Sequence, residues 1–454
     1  MKAQYNMMIR RFILDYGIIF VLLLLCVYYS FATLKQQFPV GKDAAIAAVK
    51  QAISAHGKDA HYVVATGLGQ EQENYSAEVM TQLRQAQVTS VDAVKGHPPD
   101  VRKALEQLKT QHSVDVLVVS KEASAWKFLE TFTTNIEQPK PYLYPDFLKK
   151  SNLMAIADRI VVIAIIAIGM TMVIITTGID LSVGSLIALS AVVWTLFIRN
   201  YAGAENASAF GMILCAILAM AVCALSGIFS GVMVTKFMIP PFIVTLAMMM
   251  VSSGMAFIFA QGQSIYQVPN SITWLGRGAT LFGIPNTVVL MAALYGVAHV
   301  MMSRTILGRY IYAVGGNKEA ARLSGVPVTF VLFFVYALSG ALSGLGGVVL
   351  ASQLKSGAPT YGAMYEMYVI AAAVVGGTSL SGGEGKILGT LIGAFIIAVI
   401  QNGMNLTGVE SYTQKVVLGL VILGAVLLDM LKKKGVHLDQ LIKLLKRDGA
   451  KAAA

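Results

Sequence analysis

The run IVVIAIIAIGMTMVIIT, Ile160–Thr176, contains no charged residue. With its apolar neighbours it is long enough to cross the hydrocarbon core of a membrane as an α-helix. Similar runs recur at Ile18–Cys26, Met212–Ala224 and Ile387–Ile400. Of the 454 residues, 56% are hydrophobic and 13% are charged, whereas soluble domains carry about 25% charged residues. The composition therefore predicts a polytopic membrane protein.

We expect an all-α membrane domain of about ten transmembrane helices. The first follows Arg10 and Arg11 and extends from about Phe12 to Leu34, without a small-residue cleavage site, which favours an uncleaved anchor over a signal peptide. Nine further spans are predicted at 153–177, 183–198, 210–234, 240–260, 286–303, 328–350, 367–380, 387–408 and 413–431.

The sequence between the first two spans is of a different kind. It carries many charges, and strand-like segments (HYVVAT, VTSVDAV, VDVLVVS) alternate with helical ones at Ala44–Ala55, Gln70–Gln87 and Pro98–Gln111. This alternation predicts a small α/β layer with parallel strands. We therefore divide the chain into an anchor (1–37), an α/β insert (38–150), a transmembrane domain (151–434) and an amphipathic tail (435–454).

The distribution of Lys and Arg predicts the orientation of the spans. With the N-terminus inside, the inner segments carry Lys2, Arg10, Arg11, Lys236, Arg304, Arg309, Lys318, Arg322, Lys386, Lys432, Lys433 and Lys434. The short outer segments carry only Arg159, Arg199, Arg277, Lys355 and Lys415. Cytoplasmic loops collect positive charge, so the insert is expected outside and the tail in the cytoplasm. The net charge of +11 is explained in the same way, and no nucleic-acid partner is expected.

The stretch SLSGGEGK, Ser379–Lys386, is close to the signature of ATP-binding-cassette ATPases. A phosphate-binding loop needs the pattern GxxxxGK[ST], but Leu380 stands where its first glycine should be, and Ile387 follows the lysine. We expect no ATP hydrolysis and no catalytic residue in this chain. The three cysteines form no CxxC pair and have no histidine at ligand spacing, so we expect neither a disulfide nor a metal site.

One sequence frame occurs twice. GIDLSVG, Gly178–Gly184, and GTSLSGG, Gly377–Gly383, share GxxLSxG after an apolar run. Glycine permits a backbone that leaves a helix, and serine can accept a hydrogen bond from a free N–H at a helix start. The frame therefore predicts two breaks between spans and suggests an internal repeat, although a chain with 42 glycines can also repeat it by chance.

Five stretches together resemble the permease subunits of ribose-type ABC sugar importers. They are TTGIDLSVGSLIALSAVV, PPFIVTLAMMMVSSG, LGRYIYAVGGNKEAARLSGV, VYALSGALSGLGGVV and IAAAVVGGTSLSGGEGKILGTLIGAFIIAVIQNGMNLTGV. The resemblance covers about Leu153 to Lys432, and the α/β insert lies outside the usual pattern.

This resemblance implies a homodimer of ten-helix permease subunits in the inner membrane of a bacterium. The dimer would form the path for a ribose-like monosaccharide delivered by an extracytoplasmic sugar-binding protein. A separate cytoplasmic ATPase subunit would hold ATP and Mg, so this chain would carry no cofactor. The alternative is an ion-coupled secondary transporter of a small polar solute, which usually needs buried ionisable residues in its spans.

The largest inner loop, LGRYIYAVGGNKEAARLSGVP, is the predicted ATPase-coupling segment. Asn317 is typical of a helix N-cap, Lys318–Leu323 of a short helix, and Gly325 of its end before Pro327. The alternative is an ordinary solvated loop. The coupling residues proposed from the sequence are Gly316, Asn317, Lys318, Glu319, Ala320, Arg322 and Gly325.

Polar residues within the spans are the candidates for the substrate path, because burying them in hydrocarbon is costly unless they face water or one another. The candidates are Asp180, Ser182, Thr245, Glu366, Tyr368, Gln401, Asn402 and Asn405. Sugars are bound by amide and carboxylate hydrogen bonds, which suits these side chains. Asn402 or Asn405 can equally join one helix to another. Tyr368 replaces an acid found in many relatives, so the substrate can differ from ribose.

Three roles remain open for the α/β insert: docking of the binding protein, structural support, or direct capture of a ligand. A sensor would need a cytoplasmic signalling domain, and the inner segments are too short for one.

Overall fold

The structure is a computed structural model that describes residues 2–37, 42–138 and 141–433. The chain divides into two compact units. Residues up to Thr33 and from Phe147 onward form the helical unit, and Leu34–Asp146 form the α/β unit. The expected boundaries at 38 and 150 lie a few residues after these limits. The predicted tail, 435–454, is outside the described residues.

The chain begins with helix α1, Lys2–Ala32, and then enters the α/β unit. Its elements are β1 (Leu34–Gln37), α2 (Lys42–His56), β2 (His61–Thr66), α3 (Gln70–Gln85), β3 (Ser90–Lys95), α4 (Pro98–Gln111), β4 (Val116–Val119), β5 (Ile136–Glu137) and β6 (Tyr142–Pro145). Strands β3, β2, β4 and β5 form one sheet in that order, and all its pairs are parallel. Strands β1 and β6 form a separate antiparallel pair.

The core of the α/β unit lies on both faces of this sheet. Successive side chains of a strand point to opposite faces. Tyr62 and Val64 accordingly belong to the cluster that includes α2 and α3, whereas Val63 and Ala65 belong to the one that includes α4. The His61 amide donates a hydrogen bond to the Asp115 carboxylate and holds its pKa below the usual range.

The helical unit contains twelve helices after the α/β unit in the described residues. They are α5 (Lys150–Ile175), α6 (Val183–Tyr201), α7 (Ala209–Lys236), α8 (Pro241–Ala260), α9 (Thr273–Arg277), α10 (Asn286–Arg304), α11 (Ile306–Gly316), α12 (Lys318–Leu323), α13 (Val328–Leu354), α14 (Tyr365–Val375), α15 (Ile387–Leu406) and α16 (Ser411–Lys433).

Seven of the described helices are long and apolar enough to cross a membrane: α5, α6, α7, α8, α10, α13 and α15. Three shorter apolar helical segments accompany them, Gly17–Ala32, Tyr365–Val375 and Ser411–Leu427. The protein is therefore a polytopic, mainly helical membrane protein.

The span expected at 367–380 differs most from the structure. Helix α14 has 11 residues and ends at Val375, so it rises only about 16 Å, roughly half of a hydrocarbon core. It ends there because Gly376 and Gly377 follow. Gly377 adopts a positive φ of 87°, which residues other than glycine rarely adopt.

Helix α5 forms the centre of the helical unit, because all its residues from Ile160 to Ile175 are buried. A helix that is apolar on every side is expected in such a position. Helices α7 and α13 pack closely nearby. A Cβ at Gly340 of α13 would overlap the carbonyl oxygen of Cys223 in α7, as is typical of small residues where membrane helices cross.

Candidate functional site

The second GxxLSxG segment contacts the residues that directly precede the first GxxLSxG segment. We name residues 176–182, between α5 and α6, the first break, and residues 376–386, between α14 and α15, the second break. The Gly383 amide donates a hydrogen bond of 2.9 Å to the carbonyl oxygen of Ile175, the last residue of α5. A Cβ at Gly382 would overlap the methyl group of Thr177. The repeated sequence frame GxxLSxG therefore marks two neighbouring breaks.

Asp180 ties the first break to helix α13. Its carboxylate accepts hydrogen bonds from the Ser182 hydroxyl (2.6 Å), the Ser182 amide (3.0 Å) and the Ser339 hydroxyl (2.8 Å). Asp180 and Ser182 are 1% and 2% exposed. These contacts occupy both carboxylate oxygens within the protein. Ser339 was not predicted from the sequence, where it is one of several serines in an apolar run.

Thr245 joins helix α8 to the first break. It is fully buried, and its hydroxyl lies 3.0 Å from the carbonyl oxygens of Ile179 and Pro241. A single hydroxyl proton is donated to one of them at a time. Thr245 thus makes its polar contacts within the protein, with backbone carbonyl oxygens. Asp180 likewise makes its contacts within the protein, with Ser182 and Ser339.

Glu366 and Tyr368, by contrast, are half-buried at the start of α14. The Glu366 carboxylate lies against Gly184 in the first turn of α6, where a Cβ would overlap it. Negative charge is favoured at a helix N-terminus because the free N–H groups there carry partial positive charge. The Tyr368 ring packs edge to face on Tyr365, with centroids 6.4 Å apart.

Asn402 and Asn405 join helices on the predicted outer side. The side-chain amides of Asn402 and Asn152 exchange two hydrogen bonds of 3.1 and 2.8 Å between α15 and α5. The exposed Asn405 accepts a hydrogen bond of 2.8 Å from Gln414 of α16. Gln401 is half-buried beside them. Asn152 was missed in the sequence because it precedes the apolar run of α5.

The predicted coupling segment forms helix α12 over Lys318–Leu323, as its sequence pattern predicts. The Asn317 side chain accepts a hydrogen bond of 2.9 Å from the Ala320 amide, which makes it the N-cap. Gly325 follows with a φ of 84°. Glu319 and Arg322 form an exposed ion pair of 2.8 Å.

The surface of this segment carries apolar groups that the sequence analysis did not single out. Leu323 is 86% exposed and Phe330, in the first turn of α13, is 59% exposed. Beside them lies an open groove of about 500 Å³. The groove is lined by Arg322, Val326, Pro327, Val328, Thr329, Phe330 and Phe333. The sequence signal that could have indicated this surface was Leu323, an apolar residue at the end of a short charged helix. We name Leu323, Phe330 and this groove the α12 surface.

A smaller cavity of about 180 Å³ lies between α12 and the first break. Its lining includes Lys318, Thr176, Thr177 and Tyr336. The Tyr336 hydroxyl is buried and has no hydrogen-bond partner among the described residues. Within the described part of the chain, no three His, Cys, Asp or Glu side chains are grouped to hold a metal ion.

Comparison with known proteins places this arrangement in a family context. A family model described as the permease component of the branched-chain amino acid transport system matches residues 152–426. The ribose import permease protein RbsC of Escherichia coli (strain K12) is 43% identical over 299 residues, covering 64% of this chain and 89% of that relative.

Two further relatives are similar over the same region. The ribose import permease protein RbsC of Bacillus subtilis (strain 168) is 43% identical over 292 residues, covering 64% of this chain and 88% of the relative. The fructose import permease protein FrcC of Rhizobium meliloti is 34% identical over 299 residues, covering 63% and 80%. No solved structure was found to match the chain.

Proposed function

Because the chain belongs to the family of ABC importer permeases represented by the ribose import permeases, we propose that it forms the membrane path for a ribose-like monosaccharide. It is a permease subunit of a sugar importer, as its relatives for ribose and fructose are. The observation that carries the proposal is the 43% identity over almost the whole length of a ribose permease.

We propose that a separate ATPase subunit, which holds ATP and Mg, binds the α12 surface. Helix α12 is capped by Asn317 and presents Lys318, Glu319 and Arg322 to solvent. The strongly exposed Leu323 lies among these charges. An exposed apolar group rimmed by polar residues is typical of a protein interaction site. Closure of the ATPase on ATP would then move α12 as a rigid body.

Glu366 is the path residue that the geometry favours. Asp180, Ser182 and Thr245 are buried and bonded within the protein, and Asn402 is bonded to Asn152. Glu366 is half-buried in the first turn of α14, and its carboxylate lies against the first turn of α6. An ionisable residue within a membrane segment is by default a functional candidate. Tyr368 and Gln401, also half-buried, are the secondary candidates.

We propose ten membrane crossings, with the shorter apolar segments of α1, α14 and α16 completing the seven long apolar helices. Ten alternating spans divide the connections into two sets, one for each side of the membrane. The contact of Gly383 with Ile175 joins two segments of the predicted inner set. The pairs Asn152 with Asn402 and Lys355 with Asn270 join residues of the predicted outer set. These contacts support the alternation.

The remaining partners follow from the family. We propose a homodimer in the bacterial inner membrane that receives sugar from an extracytoplasmic binding protein. The α/β unit follows α1, whose N-terminus is proposed to be cytoplasmic, so it faces the exterior. Its parallel sheet, covered by helices on both faces, supports a role in docking the binding protein or in structural support.

The test is reconstitution of the purified chain in proteoliposomes with its ATPase and binding protein. We expect no ATP hydrolysis by the chain alone, and hydrolysis stimulated by the loaded binding protein in the complex. Uptake is measured with labelled ribose, fructose and arabinose. Uptake that persists without ATP and collapses with a protonophore would instead establish an ion-coupled carrier.

A further inference from the structure

The end of α11 meets the end of α5 and the second break at a single point. A Cβ at Gly315 would overlap the carbonyl oxygen of Ile175 and would lie 2.7 Å from the Gly383 amide nitrogen. This amide is the one that donates its hydrogen bond to Ile175. Three chain segments, the end of α5, the second break and α11, therefore meet in backbone contact. We name Gly315, Ile175 and Gly383 the glycine junction.

The junction is continuous with the coupling segment. Gly315 is followed by Gly316 and then by Asn317, the N-cap of α12. One turn earlier in α11, the Tyr312 hydroxyl donates a hydrogen bond of 2.7 Å to the carbonyl oxygen of Gly385 in the second break. Helix α11 thus holds the second break at two points, Tyr312 and Gly315, and α12 begins three residues after Gly315.

The contacts leave no room for independent movement at this point. Packed backbone groups without intervening side chains resist sliding, because protein interiors are close-packed and transmit strain. The first break continues to Asp180, which is bonded to α13, and the second break leads into α15. A displacement of α12 is therefore passed to the entrances of both α6 and α15.

We propose that Gly315 is a coupling residue, which transmits the movement of α12 to both breaks and so links ATP hydrolysis to opening of the path. This inference rests on the proposed function. It assigns the transmission to the glycine junction rather than to α12 alone. Tyr312 acts as a positioning residue, because it fixes the second break against α11.

Gly296 provides a matched control for Gly315. Both residues lie in a helix without a positive φ, Gly296 in α10 and Gly315 in α11, but a Cβ at Gly296 would meet nothing within 4 Å. Gly315→Ala therefore pushes α11 away from Ile175, whereas Gly296→Ala makes the same chemical change in open space. Tyr310→Phe is the corresponding control for Tyr312→Phe, since Tyr310 lies on the same helix and its hydroxyl makes no described hydrogen bond.

Uptake of the best transported sugar and ATP hydrolysis are measured in the reconstituted complex. We expect Gly315→Ala to keep basal hydrolysis within about twofold of the wild type, since the α12 surface is unchanged. Sugar molecules transported per ATP should fall about tenfold, a typical coupling between distant sites. Gly296→Ala should match the wild type. Tyr312→Phe should lower the ratio about fivefold, through loss of one hydrogen bond, and Tyr310→Phe should not.

The outcomes separate this proposal from the proposed function. A wild-type complex without stimulated hydrolysis and uptake refutes the function and the junction together. A coupled wild type with an equally coupled Gly315→Ala, or with an equally defective Gly296→Ala, refutes the junction alone. If Gly315→Ala does not fold, the junction is tested instead by hydrogen exchange of the wild-type complex. ATP should change protection at Gly383 together with α12, and a change confined to α12 overturns the proposal.

Discussion

The amide of Gly383 donates a hydrogen bond of 2.9 Å to the carbonyl oxygen of Ile175. It joins the second GxxLSxG segment, which follows α14, to the end of α5, which the first GxxLSxG segment follows. Breaks in membrane helices leave backbone groups that must find partners within the protein. Here the second break donates to the last carbonyl oxygen of α5, directly before the first break, and Gly315 of α11 packs against the same point.

Replacing Asn317 by alanine removes the side chain that caps α12. The Ala320 amide then loses its 2.9 Å partner, and loss of such a cap costs about 1 kcal/mol. A helix of 6 residues has few other contacts to hold its direction. We expect uptake by the reconstituted complex to fall about fivefold, in line with that cost. Asn317→Asp keeps an acceptor and should transport normally; equal loss in both variants would contradict the capping role.

Local signals in the sequence were sufficient to predict α12. An asparagine before Lys318 and a glycine after Ser324 mark the ends of a helix without reference to the rest of the fold. Helix Pro98–Gln111 was also predicted with its observed ends, because proline is favoured in a first helical turn. In both cases the information lies within a few residues.

Contacts between distant residues could not be predicted in this way. Asp180 and Ser339 are 159 positions apart, and Asn152 and Asn402 are 250 apart. A single sequence does not record which polar groups meet across helices. The early end of α14 was missed for a related reason, since Val374 and Val375 continue into glycines that hydropathy alone does not distinguish from a span.

Replacing Leu323 tests whether the ATPase binds the α12 surface. Its side chain is 86% exposed, so Leu323→Ser should leave the melting temperature of the isolated chain unchanged. Binding of the ATPase, measured by calorimetry in detergent, should weaken by about 1 kcal/mol, as for a moderate interface contact. Phe282→Ser is the control, because Phe282 is 93% exposed on the predicted outer side. Unaltered ATPase binding by Leu323→Ser would show that the partner binds elsewhere.

The pair Asn152 and Asn402 should stabilise the fold without affecting transport specificity. Each single replacement by alanine removes both hydrogen bonds between α5 and α15, although Asn152 keeps its bond to the Phe147 carbonyl oxygen. A double-mutant cycle on thermal unfolding should give a coupling free energy of about 1 kcal/mol, as for hydrogen bonds between membrane helices. The ranking of sugars in uptake assays should not change. Altered ranking would return Asn402 to the substrate path.

The orientation of the chain can be tested by cysteine labelling. The natural residues Cys26, Cys215 and Cys223 are replaced by alanine, and a single cysteine is placed at Glu205 or at Glu319, both exposed. In cells with an intact inner membrane, an impermeant maleimide should label position 205 and not position 319, because the positive-inside rule puts α12 in the cytoplasm. After lysis both should react. The reverse pattern would place the coupling segment outside.

Replacing Glu366 tests whether this residue lines the substrate path. Its carboxylate lies at the N-terminus of α6, against Gly184, and can accept hydrogen bonds from sugar hydroxyls. Hydrogen bonds to a charged group contribute about 1.5–3 kcal/mol, so Glu366→Ala should lower uptake at limiting sugar by at least about tenfold. Glu366→Gln keeps the size and one acceptor oxygen and should lose less. Glu410→Ala, which removes an exposed acid before α16, is the control.

The same measurements separate this role from a structural one. Removing a negative charge from a helix N-terminus costs about 0.3–1 kcal/mol of stability, so a purely structural Glu366 would lower the melting temperature and the amount of folded complex. Uptake per folded complex would then be unchanged. A path residue instead changes uptake per complex and the order of preference among ribose, fructose and arabinose. Since no binding protein contacts Glu366 in this proposal, the change should persist at saturating loaded binding protein.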